Sequence, residues 1–265
     1  MEIDWTHSYP VYVFLIFMGL AFGSFLNVVI YRLPNKISII KPRSYCPACG
    51  KPIPFYLNIP VISYLILLGK CRFCGAKISP RYFFVELLSG VIVVGYYIWL
   101  GPAWQMLGYT LLTLALLAVF LIDYEYYIIP DQITYPGIIL GLLFSLVNPD
   151  VTILQSIIGM LVGGVGLLAM SYLGDWLFKK ESLGGGDIKL AAMLGAFLGW
   201  QKILFIFIAA SVIGLVIGII ALSISGSLRE NRKIPFGPFL ATAAVTAIIF
   251  GDYLINLYIS RFYNL

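Results

Sequence analysis

The sequence predicts an all-α polytopic membrane protein of about eight transmembrane helices, with a small cysteine-bearing loop domain between the first and second spans. Three observations lead there. Hydrophobic residues make up 61% of the chain and charged residues 11%, with a mean hydropathy of +0.96, far from the composition of soluble globular domains. Apolar stretches near the roughly 20 residues needed to cross about 30 Å of hydrocarbon recur along the chain. Between the first two of them lies a basic segment, residues 32–82, that holds all four cysteines.

The apolar stretches fall at 11–31, 83–100, 106–122, 132–147, 153–174, 187–200, 203–225 and 238–259. The fourth and sixth are short. Gly195, Gly199 and the glycine run before the sixth imply that it begins below the membrane surface or packs closely on a neighbour. The chain therefore divides into a first span at 1–31, a loop domain at 32–82 and a membrane domain at 83–265.

Lysine and arginine set the orientation, because short loops rich in them stay in the cytoplasm. The segment from Arg32 to Arg81 carries nine of the 17 and no acidic residue. Placing it inside puts 15 basic residues on the cytoplasmic side and leaves Lys202 and Arg261 outside. Both termini then face outward. The first apolar stretch is preceded by Glu2 and Asp4 and by no basic side chain, so no cleavable signal peptide is expected. The net charge of +5 and the pI near 8.9 follow from inside-facing loops; there is no nucleic-acid motif and no internal repeat.

In a chain that nearly excludes charge from its apolar segments, Asp123 in LIDYEYYIIPD and Asp187 in GGGDIKL stand out. By the predicted topology they share one depth at the cytoplasmic face. An ionisable group there is costly and is a functional candidate. Two carboxylates held together share a proton, so one acts as acid and the other as base, which suits hydrolysis of a peptide bond by activated water. Gly184, Gly185 and Gly186 fit this reading because they permit unusual backbone angles and close approach of an extended substrate. The plain alternative for a single aspartate is a solvated helix cap, and Asp131 after Pro130 reads that way. Asp175 near Lys179 reads as interfacial, and Glu125 is close enough to Asp123 to influence it. A proton-coupled transporter using Asp123 and Asp187 as a relay is the rival explanation.

Cys46 and Cys49 in CPACG, then Cys71 and Cys74 in CRFCG, form two CxxC knuckles separated by 21 residues, each followed by a glycine. Four soft ligands in this spacing suit tetrahedral zinc, and a closed four-cysteine site leaves no open position, so the metal is structural. Disulfides or a redox-active CxxC are the alternative, disfavoured where cytoplasmic thiols stay reduced. A metal would staple a loop too small to order itself by its own core.

With GSFLNVVIYRLP at 23–34, the two knuckles, RYFFVELLSG at 81–90, the Asp123 segment ending IIPD and GGGDIKL at 184–190, the chain resembles the prepilin peptidases nearly end to end. These are the leader peptidases and N-methyltransferases of type IV pilus, type II secretion and competence systems. The resemblance implies that Asp123 and Asp187 are the catalytic pair of a GxGD aspartyl protease, Gly185 filling the variable position. It implies type IV prepilins or pseudopilins as substrates, cut after a glycine at the cytoplasmic face of the inner membrane. The new N-terminal amine would then be methylated from S-adenosylmethionine.

The family assigns methylation to the zinc-bearing region, so Gly69, Lys70 and Glu86 become the methyl-donor candidates. Their plain readings are a turn before a knuckle and an interfacial acid paired with Arg81. No dinucleotide-type glycine motif supports a donor pocket from residues alone, and a peptidase without methylation stays open. The basic loop is not suited to attract a basic leader; it suits anionic lipid headgroups. Asn27 in the first span either bonds across helices or lines a substrate path. Trp5, Trp104, Trp176 and Trp200 read as interfacial anchors, His7 as no metal ligand, SLRENRK at 227–233 as a solvated loop and IPFGPF at 234–239 as a turn into the last span, with both segments able to edge the active site.

Overall fold

The computed structural model describes residues 9–179, 183–224 and 235–263. Glu2, Asp4, Trp5, His7 and the 227–233 loop lie outside the described residues. Among the described residues all regular structure is helical apart from two isolated β-bridges, Tyr45 with Pro52 and Lys70 with Lys77. The chain forms two compact units that meet within one helix, at Leu114 and Ala115.

The first unit is built on α1 (Tyr9–Arg32) and α3 (Pro80–Leu100). Small residues let their backbones meet: a Cβ on Gly19 would lie 2.8 Å from Gly90 Cα, and one on Gly23 would lie 2.6 Å from Glu86 Cα. Helices in lipid gain little from hydrophobic sorting, so such close approach is what holds them together. Asn27, 1% exposed, donates from Nδ2 to the Tyr82 carbonyl at 3.1 Å, so it bonds across the helices. Ser79 caps α3 by accepting from the Arg81 amide, with Pro80 in the first turn, and Gly101 with φ of 66° ends it. α4 (Trp104–Tyr126) follows, and its Thr113 hydroxyl meets the Tyr96 hydroxyl at 2.8 Å. The loop between α1 and α3 contains a 3₁₀ turn (Phe55–Leu57) and the short α2 (Ile62–Ile66). Arg32, 5% exposed, closes the loop's start by donating to the Ser38 carbonyl at 2.9 Å.

The second unit holds the end of α4, then α5 (Asp131–Phe144), α6 (Ile153–Phe178), α7 (Gly185–Ile224) and α8 (Gly237–Tyr263). A capping box of Thr152 and Gln155 starts α6. Glycine makes α6 and α7 inseparable: a Cβ on Gly163 would overlap the Ala191 carbonyl, and one on Gly195 would overlap that of Gly159. The Ser156 hydroxyl bonds the Ala196 carbonyl across this seam.

Within α7, Gly199 has φ 79° and ψ 173° and breaks the helix. Before the break the contacts descend α6, from Gly163 at Ala191 to Gln155 at Gly199; beyond it Phe207 lies back against Gly166. The chain therefore reverses at Gly199, and α7 is a helical hairpin with arms 185–198 and 200–224. α8 runs antiparallel to the second arm, with Phe239 on Gly214 and Lys202 near Gly251. The Lys202 ammonium bonds the Asp252 carboxylate at 2.9 Å.

Among the described residues each of the eight apolar stretches is helical over most of its length, the fourth leaving the helix after Phe144. Six helices among the described residues are long and apolar enough to cross a membrane. The number is below eight because α5 has 14 residues and the sixth and seventh stretches are joined as α7.

Candidate active site and metal centre

Asp123 lies three residues before the end of α4, its side chain buried at 5% exposure next to the likewise buried Ile122, while Tyr124, Glu125 and Tyr126 beyond it are exposed. Its Oδ2 accepts from the Gly237 amide at 3.0 Å. Asp187 opens α7 and is 9% exposed. Its Oδ2 accepts from the Gly184 amide at 3.2 Å, while the Asp187 amide donates to the Gly184 carbonyl at 3.1 Å. The two carboxylates lie close enough for the charge of Asp123 to act on Asp187. Among the described residues Asp187 Oδ1 is buried and meets no hydrogen-bond donor, which suits a carboxyl that bonds a bound group.

None of Gly184, Gly185 or Gly186 has a positive φ. The expectation of unusual backbone angles there gives way to one of space. A Cβ on Gly186 would lie 2.9 Å from Ile129 Cβ, one on Gly184 would lie 3.2 Å from Asp187 Oδ2, and one on Gly185 would meet nothing within 4 Å. Asp131 is not the cap: Pro130 holds that position without a side-chain bond, and the Asp131 carboxylate in the first turn meets the Lys189 ammonium at 2.6 Å, fastening the start of α5 to the start of α7 two residues from Asp187. The IPFGPF segment, read as a turn able to edge the active site, does so through Gly237, whereas sequence reasoning did not see Ile129 as a neighbour of the pair.

In the first unit the two knuckles repeat one backbone pattern. The Cys46 and Cys71 amides donate to the Lys51 and Ala76 carbonyls at 3.0 and 2.8 Å, and Gly50 and Gly75 take positive φ in open space. The four Sγ atoms all lie within 4.8 Å of one another, with Cys46 and Cys74 at 3.9 Å. Tetrahedral zinc with bonds of about 2.3 Å asks for sulfurs about 3.8 Å apart. All four cysteines are free thiols. Amides of Cys74 and Phe73 bring the Cys71 thiol down to about 7. Cys74 accepts from the Ala76 amide, yet desolvation and the neighbouring sulfurs carry it up to about 11. Four crowded thiolates need a cation among them, and the donor set fits a soft divalent metal.

The methyl-donor candidates surround α2. A Cβ on Gly69, whose φ is 67°, would lie 2.9 Å from the Tyr64 hydroxyl, and Lys70 is exposed. Glu86 is buried at 8% exposure rather than interfacial, and its Oε2 accepts from the Val61 amide at 2.7 Å. Val61 has φ 61° and ψ −52°, a strained backbone for a β-branched residue, held by that carboxylate.

Two family models match the chain: the bacterial peptidase A24 N-terminal domain over residues 16–100 and the type IV leader peptidase family over residues 110–219. A protein of Aeromonas hydrophila named prepilin leader peptidase/N-methyltransferase is 37% identical over 286 aligned residues, covering 98% of both chains. One of the same name from Pseudomonas aeruginosa is 35% identical over 283, covering 97% of both. A third, from Stutzerimonas stutzeri, is 36% identical over 266, covering 91% of both. No solved structure matches the chain.

Proposed function

The chain belongs to the type IV leader peptidase family, as a peptidase and N-methyltransferase of the inner membrane, and from that premise we propose which residues carry each activity. Asp123 and Asp187 form the catalytic pair for cutting the basic leader from type IV prepilins or pseudopilins, after a glycine at the cytoplasmic face. The observation that carries this is the burial of both carboxylates in one unit, each held by a backbone amide and near enough for the charge of one to act on the other. One carboxylate takes a proton from water as its oxygen attacks the scissile carbonyl. The other hydrogen-bonds that carbonyl and passes its proton to the departing amine, so no covalent intermediate is formed. The end of α4 and the starts of α7 and α8 meet around this pair, which agrees with one cytoplasmic depth and with both termini outside.

Zinc held by Cys46, Cys49, Cys71 and Cys74 is structural in this reading and closes the loop domain. Chelation or Cys46→Ser is expected to remove about one zinc per chain, measured by elemental analysis, and to expose the loop to protease. A chain with full loop order after loss of metal contradicts the assignment. The exposed Phe55, Tyr56, Ile66 and Leu68 and the seven exposed basic residues of the loop suit contact with an anionic lipid surface, worth about 1 kcal/mol per basic residue near it.

Gly69, Lys70 and Glu86 mark the methyl-donor region. S-adenosylmethionine would supply a sulfonium-bound methyl to the new N-terminal amine. The chemistry fits: the Glu86 carboxylate complements the donor's positive charge and the Lys70 ammonium its carboxylate. Glu86→Gln keeps an acceptor for the Val61 amide and is expected to lower methyl transfer at least about tenfold while cleavage continues. Mass spectrometry of a pilin-like precursor incubated with protein and donor reads both, because leader loss and methylation change mass separately. Unchanged methylation in Glu86→Gln removes that residue from the site. A precursor left intact by the wild-type protein removes the peptidase assignment.

A further inference from the structure

The first turn of α8 has its backbone donors allotted in an unusual way. The Phe239 and Leu240 amides both donate to the Phe236 carbonyl, at 3.0 and 3.1 Å, and Pro238 has no amide proton. The remaining donor, on Gly237, points at Asp123 Oδ2 at 3.0 Å across 114 residues of chain. A helix's first amides are otherwise unpaired and carry the positive end of its dipole, so a carboxylate there is held without any side chain. Gly237 has no room to be anything else: a Cβ would lie 2.6 Å from Asp123 Oδ2 and 3.1 Å from Ile129 Cδ1. Ile129 in turn stands 2.9 Å from where a Cβ of Gly186 would be, directly before Asp187. One isoleucine is thereby wedged between the glycine that holds Asp123 and the glycine that precedes Asp187.

We propose that Gly237 is a positioning residue for leader cleavage, its amide fixing the Asp123 carboxylate while Ile129 sets its spacing from Asp187. The role rests on the reading of Asp123 and Asp187 as the catalytic pair. It acts on the orientation of a reacting group and not on substrate contact, so it belongs to turnover.

The test compares kcat and KM for cleavage of a pilin-like precursor by the purified full chain in four forms: wild type, Asp123→Asn, Gly237→Ala and Ile129→Ala. Gly237→Ala is expected to lower kcat by at least about 100-fold with KM within about threefold, and Ile129→Ala to lower kcat by at least about tenfold with KM likewise kept. Ile129→Ala adds no atom and removes only the spacer, so it decides the question should Gly237→Ala fail to melt cooperatively. Wild-type kcat in Ile129→Ala, or in a folded Gly237→Ala, overturns the positioning role. A parallel fall in affinity, with KM rising as much as kcat falls, overturns it as well. Cleavage by Asp123→Asn would instead overturn the underlying catalytic pair, so the two failures are told apart.

Discussion

Asp123→Asn and Asp187→Asn each reduce leader cleavage by about 10³-fold or more, with metal content and helical content unchanged. The size follows from removing one member of an acid–base pair that works as a unit, where each group is worth about 10²–10⁴-fold. The persistence of the fold follows from the hydrogen bonds. Asparagine is close to isosteric and keeps a carbonyl oxygen, so it still accepts from the Gly237 amide at position 123 and from the Gly184 amide at position 187. What it loses is the ability to carry the proton. The assay is single-turnover conversion of a purified precursor, read by mass, beside zinc content and circular dichroism. Full processing by either variant in purified form defeats the assignment.

Gly195→Ala destabilises the second unit by about 3 kcal/mol or more, and the protein is recovered poorly or melts at much lower temperature. A single methyl group is normally a small change, and overpacking typically costs about 1–3 kcal/mol. Here the added atom falls inside the Gly159 carbonyl, a backbone group that no rotamer can move aside. Relief requires α6 and the first arm of α7 to separate, which also breaks the Ser156 bond to Ala196 and draws Gly163 off Ala191. Gly218→Ala is the matched control, since a Cβ there meets nothing within 4 Å, and it stays within about 1 kcal/mol of wild type. Thermal melting of the two variants in one detergent reads the difference; equal melting temperatures contradict the packing described for the seam.

The helical membrane architecture was legible because apolar length is written directly in composition. Asp123 and Asp187 drew notice for the same reason, being charges where charge is scarce, and the cysteines declared themselves by spacing. Less legible was anything carried by the backbone. Gly237 works through an amide that every residue but proline owns, so no side-chain chemistry announces it. The reversal at Gly199 was legible in outline, because Gln201 and Lys202 part the sixth and seventh apolar stretches, but not that a single glycine makes the turn and leaves the two arms as one hairpin. Asp131 looked like a cap because its partner Lys189 is 58 residues away. Gly184, Gly185 and Gly186 were read as conformational freedom and close approach, whereas what is spoken for is space, at Gly186 by Ile129 and less tightly at Gly184 by the Asp187 carboxylate.

α5 and the first arm of α7 lie side by side and run the same way, from the Asp131–Lys189 pair to Gly141 beside Phe197. Each has about 14 residues, or about 21 Å at 1.5 Å per residue, some 9 Å short of a hydrocarbon core of about 30 Å. Leu190, Met193 and Leu194 of that arm are buried inside the unit, whereas Tyr135, Ile139, Leu140 and Leu143 of α5 are exposed, so it is beside α5 that a bilayer must thin or admit water. A hydrolase in lipid has to obtain its second reactant, and a local dip in the membrane beside α5, which packs on the helix that bears Asp187, would deliver it.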